Sequence, residues 1–435
     1  AILFELYKPV SDNNQEKVKS LLAFYRKCYT IIAGVVFLIG ILLIPFLDEI
    51  VGTVNVPVNI VAVYILVLLD TSFSYLLTYK RSILIVNQQE RVLKKIHIGY
   101  IIIYNLLEII ILYFTKKYYL YLIIKLFSTI AENLVISKIA SKKYPYIDEE
   151  SKPLNRATKK AIYKKIKALF FHKVAGFVVN GTDNILISLM FGVVMVGYYN
   201  NYFLIVTSVV TLASNLFTVL TPSVGNLLTT SSTEKNYSVF KNIHFINFCV
   251  AAFCTTCLAV LTQPFVELWL GEEYLLPNSI LYTLVVYFYF RIMKFSISIF
   301  KDAAGIYYED RYVPILEAVS NIVFSVLFAK YFEVAGIILG TIASTLILYL
   351  FSYPVYVYKR LFQKNYFQYI KEIGIYGITT ILITGITIVL NNFIHFDSSI
   401  LELIKGVIIT FVVFSIIVLG FFHKQDEFVF LKNIG

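Results

Sequence analysis

Arg291 and Lys294 lie one helical turn apart inside an apolar run of the chain, with Ser298 one turn further along. Two like charges so placed repel each other. Each also costs roughly 2.5–3.5 kcal/mol to hold at the centre of a bilayer. The pair makes physical sense if an anion visits it. Lys125 is a further cation of this kind, on a stripe with Ser128 and Glu132 at i, i+3 and i+7. Asn180, Asp183, Asn184 and Ser188 form a stripe of their own. Asp70 and Glu108 stand in other apolar runs, Glu108 beside Tyr104 and Asn105, and Glu317 stands with Ser320 and Asn321. Helical spacing puts each stripe on one face. Such faces should turn from lipid toward a protein interior that holds water. Alternatively, the groups pair with one another and fix helix packing.

Other chemistries are poorly provided for. Cys249, Cys254 and Cys257, of four cysteines in all, share one apolar run, which suits helix packing better than redox work. The five histidines show no metal-ligand spacing. Asp148, Glu149 and Glu150 form an acidic triplet that reads as a solvated charge run. No metal, no cofactor and no catalytic centre is expected.

The elements that carry the stripes follow from composition. Of 435 residues, 58% are hydrophobic and only 15% charged, where a soluble domain carries about a quarter charged. The apolar runs are continuous, unlike the short alternating segments of an outer-membrane barrel. The chain is therefore an all-α integral membrane protein. Windows of about twenty apolar residues give about twelve spans, near 30–47, 58–79, 96–114, 118–138, 173–194, 198–222, 243–266, 279–300, 312–330, 334–357, 371–391 and 400–421.

Lysine and arginine set the orientation. They concentrate in alternate loops, with Lys116, Lys117 and Lys330 the exceptions, so the rich side reads as cytoplasmic and both termini lie there. The net charge of +11 has this cause and does not point to nucleic acid. Trp269, beside Glu272 and Glu273, belongs at the outer interface. The longest polar interval, 141–172, reads as a cytoplasmic linker between an N-lobe over 1–140 and a C-lobe over 173–358, with two further helices in 359–435. Its second half places Ile162, Ile166, Leu169 and Phe170 opposite Lys159, Lys160, Lys164 and Lys167. That is either an amphipathic helix on an anionic leaflet or an ordinary solvated segment.

Several segments resemble the polysaccharide flippases of the MOP superfamily, whose other branches include MATE-like drug exporters. They are LYKPVSDNNQEKVKSLLAFYRKCYTIIA at 6–33, NGTDNILIS at 180–188, VGYYNNYFLI at 196–205 and LWLGEEYLLP at 268–277. The fullest resemblance is FKDAAGIYYEDRYVPILEAVSN at 300–321, followed by VAGIILGTIAST at 334–345. The motifs run in order through most of the chain and are similar to those of Wzx-type exporters of O-antigen, capsule or teichoic-acid repeat units. The resemblance implies fourteen helices in two pseudo-symmetric six-helix lobes plus two. The chain opens as though leaving a membrane helix, so the first two helices of that plan are expected upstream of it.

The resemblance also implies a cargo, an oligosaccharide joined through pyrophosphate to a polyprenol such as undecaprenol, for cell-surface polysaccharide biosynthesis. Sugar hydroxyls cannot shed water into hydrocarbon unaided. The head group would ride in a cavity between the lobes, moved across by alternating access in a bacterial cytoplasmic membrane. Arg291, Lys294 and Lys125 would meet pyrophosphate or acidic sugar. Asn180, Asn184 and Ser188 would bond sugar hydroxyls. Asp70, Glu108, Glu132, Asp183 and Glu317 are candidates for H⁺ or Na⁺ coupling, and a polysaccharide polymerase complex is a candidate partner. A multidrug exporter of the same superfamily is the near alternative, although paired cations disfavour cationic cargo. A membrane polymerase or glycosyltransferase lacks a catalytic loop here, and a transport-incompetent scaffold is the last alternative.

Overall fold

The computed structural model describes residues 2–51, 58–156, 158–160, 162–163, 181–306, 312–394, 396 and 398–434. Among them the regular structure is helical throughout. Nine helices are long and apolar enough to cross a membrane, ten if one bent pair counts as a span. The chain is a multi-pass integral membrane protein. The difference from about twelve has local causes. The span near 58–79 is broken, and those near 312–330 and 334–357 share one helical run, Val313–Phe362. The span near 173–194 is described only from residue 181.

The chain divides into two compact units, Ala1–Phe171 and His172–Gly435. The first contains α1 (Ile2–Ser11), α2 (Gln15–Leu43), α3 (Ile60–Tyr75), α4 (Thr78–Val86), α5 (Glu90–Thr115) and α6 (Tyr118–Lys143). Helix α2 starts well before its apolar window because Asn14 caps it, its side chain accepting from the Lys17 amide at 3.0 Å. Its early turns bury Val18, Leu21, Leu22 and Tyr25 in a core shared with Leu6, Ile83, Leu84, Ile136 and Ala140. Between α3 and α4 the chain bends by 41°, with Leu77 at φ 66°. The carbonyl of Ser74, freed near the break, accepts from Thr78 Oγ1 at 2.6 Å and Asn133 Nδ2 at 3.3 Å.

The acidic triplet is solvated, as a charge run should be, but two of its members also pair with lysines. A short helical turn, Pro145–Asp148, docks it on the unit. Asp148 pairs with Lys80 at 2.5 Å and Glu149 with Lys19 at 3.0 Å. Lys80 also donates to Ser141 at 2.6 Å. Both lysine side chains are nearly buried, so each needs its carboxylate more than the solvated carboxylate needs it. Ile162 reaches the same core. The rest of the expected amphipathic helix, with Lys164, Ile166, Lys167, Leu169 and Phe170, lies outside the described residues.

The second unit contains α7 (residues 181–191), α8 (Val193–Thr218), α9 (Thr221–Thr230), α10 (Thr233–Leu270), α11 (Asn278–Ala303), α12 (Val313–Leu346), α13 (Phe367–Phe393), α14 (Ser399–Phe422) and α15 (Asp426–Ile434). Helix α10 has 38 residues. At 1.5 Å per residue it exceeds a hydrocarbon core of about 30 Å. It packs on α11, α13 and α14. Aromatic rings fill that seam: Phe248 stacks on Tyr376 at 4.2 Å, and Phe245 meets Phe422 at 5.4 Å.

Helix α12 is a hairpin, because Glu333 leaves helical geometry at φ 51°, ψ −133°. Its arms zip with polar and small residues. Asn321 Nδ2 donates to Thr341 Oγ1 at 2.8 Å, and Ser325 Oγ donates to the Ile337 carbonyl at 3.0 Å. Gly336 and Gly340 let the arms touch, since a Cβ on Gly340 would lie 2.3 Å from the Ser325 nitrogen.

Two predictions follow from this packing. Gly340→Ala should cost about 1–3 kcal/mol through overpacking, whereas Gly374→Ala, on an open face of α13, should be neutral or stabilise by up to about 1 kcal/mol. Thermal unfolding in detergent distinguishes them. Asp148 concerns acid stability. Burial pushes its carboxyl up, but hydrogen bonds from Lys80 and Ser141 and the charge of Lys80 prevail and hold it below the ordinary range. Its contribution is therefore present above the ordinary carboxylate pKa and is lost as pH falls through the depressed one. Asp148→Asn should lower neutral-pH stability by less than about 1 kcal/mol, as for a half-solvated pair. It should also remove that part of the acid-side fall in melting temperature.

Candidate functional site

Helix α11 has two faces. Leu284, Phe288, Ile292, Met293, Ile297 and Phe300 are buried in the apolar core. Tyr287, Arg291, Lys294, Ser298 and Asp302 recur at spacings of three and four on the other face and line one cavity. The register is fixed from α10. Asn247, fully buried, donates to the carbonyls of Ile292 and Met293 at 3.0 and 3.1 Å. His244 Nδ1 lies 2.8 Å from Ser296 Oγ. A slip of α11 would leave these polar groups unmatched in the core.

The cavity is about 400 Å³. Phe217, Thr218 and Thr221 line it from α8 and α9, and Glu317, Thr341 and Thr345 from α12. Arg291 and Lys294 are half-buried. Arg291 donates to the Tyr287 hydroxyl, its guanidinium 5.6 Å from that ring's centre. The Tyr353 ring faces Lys294 at 5.0 Å and Lys301 at 4.2 Å. These aromatic faces attract the cations. The cavity thus has Arg291, Lys294 and Asp302 on α11 and Glu317 on α12.

Asp183 reaches the same cavity indirectly. It is 7% exposed. Thr341 Oγ1 lies 3.0 Å from both its carboxylate oxygens. Asn321 donates to Thr341, and Thr182 Oγ1 donates to Asn321 Oδ1 at 3.0 Å. The hydrogen bonds run one way, from Thr182 through Asn321 and Thr341 to the carboxylate, and dock α7 on the hairpin.

Of the other residues singled out by sequence, Asn180 lies outside the described residues. Asn184 and Ser188 sit on α7 but do not line this cavity. Asn184 Oδ1 is buried and finds no hydrogen-bond partner among the described residues. Lys125 belongs to the first unit, where it is the charge acting on buried Glu108. Glu132 pairs with Arg81 at 2.9 Å and lies 3.2 Å from His97 Nδ1. Asp70 lies within α3, one carboxylate oxygen buried without a partner among the described residues.

Sequence reading missed Thr182, Tyr287, Thr341, Thr345 and Tyr353. Tyr287 could have been found, because it continues the Arg291–Lys294 stripe one turn earlier. Nothing in the spacing joins Thr341 to Asp183, more than a hundred residues away.

No family model and no curated protein matches the chain. Solved structures do. Lipid II flippase MurJ in an inward closed conformation superposes with a TM-score of 0.66 at 16% identity, covering 93% of this chain and 84% of that one. A MATE protein in complex with MaL6 aligns with a TM-score of 0.45 at 14% identity, over 82% of this chain and 83% of that one. The chain has the all-helical fold of the lipid II flippase MurJ.

Proposed function

We propose that this protein is a flippase that carries lipid-linked oligosaccharides across a bacterial cytoplasmic membrane, in the manner of the Wzx-type exporters its motifs resemble. The observation that carries the reading is the cavity with Arg291 and Lys294 on one wall. Two cations at membrane depth are costly unless a negative group visits them. A polyprenyl pyrophosphate presents that group at the head of a chain that can stay in lipid. Hydroxyls of Thr218, Thr221, Ser298 and Thr345 around the cavity suit the sugar next to the phosphate. Lipid II, for which the flippase MurJ is named, is of the same chemical class.

In this reading the termini face the cytoplasm, as the lysine and arginine bias suggests. The wider domain plan, two lobes and two added helices, belongs to the same proposal. Asp183, fixed by Thr341, is the coupling residue we favour among the carboxylates. A buried carboxylate with no ion pair among the described residues can take either a proton or a cation. Glu132 is the weakest of them, because Arg81 already neutralises it.

Complementation tests the cargo. In a bacterium lacking its repeat-unit flippase, the parent should restore surface polysaccharide. Arg291→Ala/Lys294→Ala, at equal membrane abundance, should lower export by at least ~100-fold, the effect of losing two charge-assisted contacts, with repeat units accumulating inside. Equal export by both would remove these residues from the site. Coupling is tested in proteoliposomes with imposed gradients. Asp183→Asn should abolish the response of transport to the H⁺ or Na⁺ gradient; a response equal to the parent's would exclude Asp183.

A further inference from the structure

The broken span of the first unit borders a cavity of its own. It is about 370 Å³ in volume and is lined by Arg26, Tyr29 and Thr30 of α2, by Leu76 and Leu77 at the break, and by Asn133 of α6. Irregular backbone at membrane depth is tolerated where it lines a cavity. A hollow of about 190 Å³ adjoins it, sharing Phe73 and Leu76 and adding Ala33, Phe37, Leu69 and Ser72. On α2 the lining positions 26, 29, 30, 33 and 37 fall on one face. The two volumes form one furrow between α2 and α3. It ends where these helices touch: a Cβ on Gly40 would lie 2.3 Å from Leu68 Cδ1, and Tyr64 donates to the Gly40 carbonyl at 2.8 Å.

The furrow changes character along its length. Arg26 stands at the polar end, exposed and in no ion pair among the described residues. Its charge is felt at Asp148, whose hydrogen bonds come instead from Lys80 and Ser141. Ser72 lies between the two ends. It is 8% exposed, and its Oγ finds no hydrogen-bond partner among the described residues. Beyond it the lining is Ala33, Phe37 and Leu69, all apolar. From residue 26 to 37 helix α2 rises about 16 Å. That is the reach of a chain within one leaflet, half of a hydrocarbon core ~30 Å thick.

We propose that this furrow is a binding site for one anionic glycerophospholipid of the surrounding membrane. Arg26 takes the phosphate, to which a guanidinium can present two parallel N–H groups. The Tyr29 ring sits at headgroup level, where amphipathic aromatics belong. Ser72 Oγ donates to an ester carbonyl of the glycerol, and one acyl chain runs along Ala33, Phe37 and Leu69. The ester identifies the class. A polyprenyl phosphate has no carbonyl for Ser72, and a soluble phosphate would leave the apolar end unfilled. The inference is independent of the cargo reading.

Native mass spectrometry of the purified full chain in mild detergent, titrated with defined lipids, tests it. The parent should bind one dioleoyl phosphatidylglycerol about tenfold more tightly than dioleoyl phosphatidylcholine, the scale of one charge-assisted contact. It should bind the ether-linked phosphatidylglycerol, which lacks ester carbonyls, about threefold more weakly, the scale of one neutral hydrogen bond. Arg26→Ala should erase the first preference and Ser72→Ala the second. Lys95→Ala, which removes an exposed cation lining neither hollow, should keep both. Equal binding of phosphatidylglycerol and phosphatidylcholine by the parent, or a preference unchanged in Arg26→Ala, overturns the site. Ether and ester lipids bound equally by the parent overturn the Ser72 contact and with it the lipid class. Undecaprenyl phosphate or inorganic phosphate binding more tightly than phosphatidylglycerol, and dependent on Arg26, overturns the phospholipid as occupant. The parent's own selectivity decides even if a variant misfolds.

Discussion

A hydroxyl meets a carboxylate inside the second unit, and much of that unit's polar interior depends on the contact. Thr341 holds Asp183 while Asn321 holds Thr341. A buried charge without such partners would be excluded from a helix bundle. The same bonds zip the two arms of α12 and anchor α7 to them. Close approach of the arms is possible because Gly336 and Gly340 have no side chain to separate them. The zip then carries Glu317 and Thr345 to the cavity edge. Helix α11 is locked separately, by Asn247 and His244, with its cations facing the acidic arm. Packing and chemistry are therefore one problem: a change of register in either helix would take Arg291 and Lys294 or Glu317 away from the cavity they share.

Composition made the class of protein legible. Long apolar runs left little besides a helical membrane protein. The stripe of Arg291, Lys294 and Ser298 was legible too, because helical spacing alone puts them on one face. Glu317 and Asp183 could be named as costly groups at membrane depth, but their gathering about one cavity could not. That gathering depends on a hairpin turn at Glu333, within a stretch whose hydropathy runs on without a break. For the same reason the bend at Leu77 was not visible inside an apolar window. Acidic residues 148–150 are exposed as expected, but the pairing of two of them was hidden for a different reason. A charge run looks solvated unless its partners are known, and Lys19 and Lys80 lie far away in sequence.

The two units differ in what their polar groups do. In the first, the described ion pairs tie elements together: Lys80 to Asp148, Lys19 to Glu149 and Arg81 to Glu132. The second has such ties too, among them Lys241 to Glu427, but it also has cations and carboxylates that border an open volume, with aromatic rings flanking the cations. Interactions of the first kind are satisfied by the protein itself. Those around the cavity border a volume that a ligand can enter, which is why the head group is proposed there.

The account stands or falls on whether that cavity holds an anionic lipid head group. The most direct measurement is native mass spectrometry of the protein purified from bacterial membranes in mild detergent. The account predicts co-purified polyprenyl-pyrophosphate species on the parent, and their loss from Arg291→Ala/Lys294→Ala at equal yield. The same lipids bound equally to both, or the parent emerging with none of them, would contradict it.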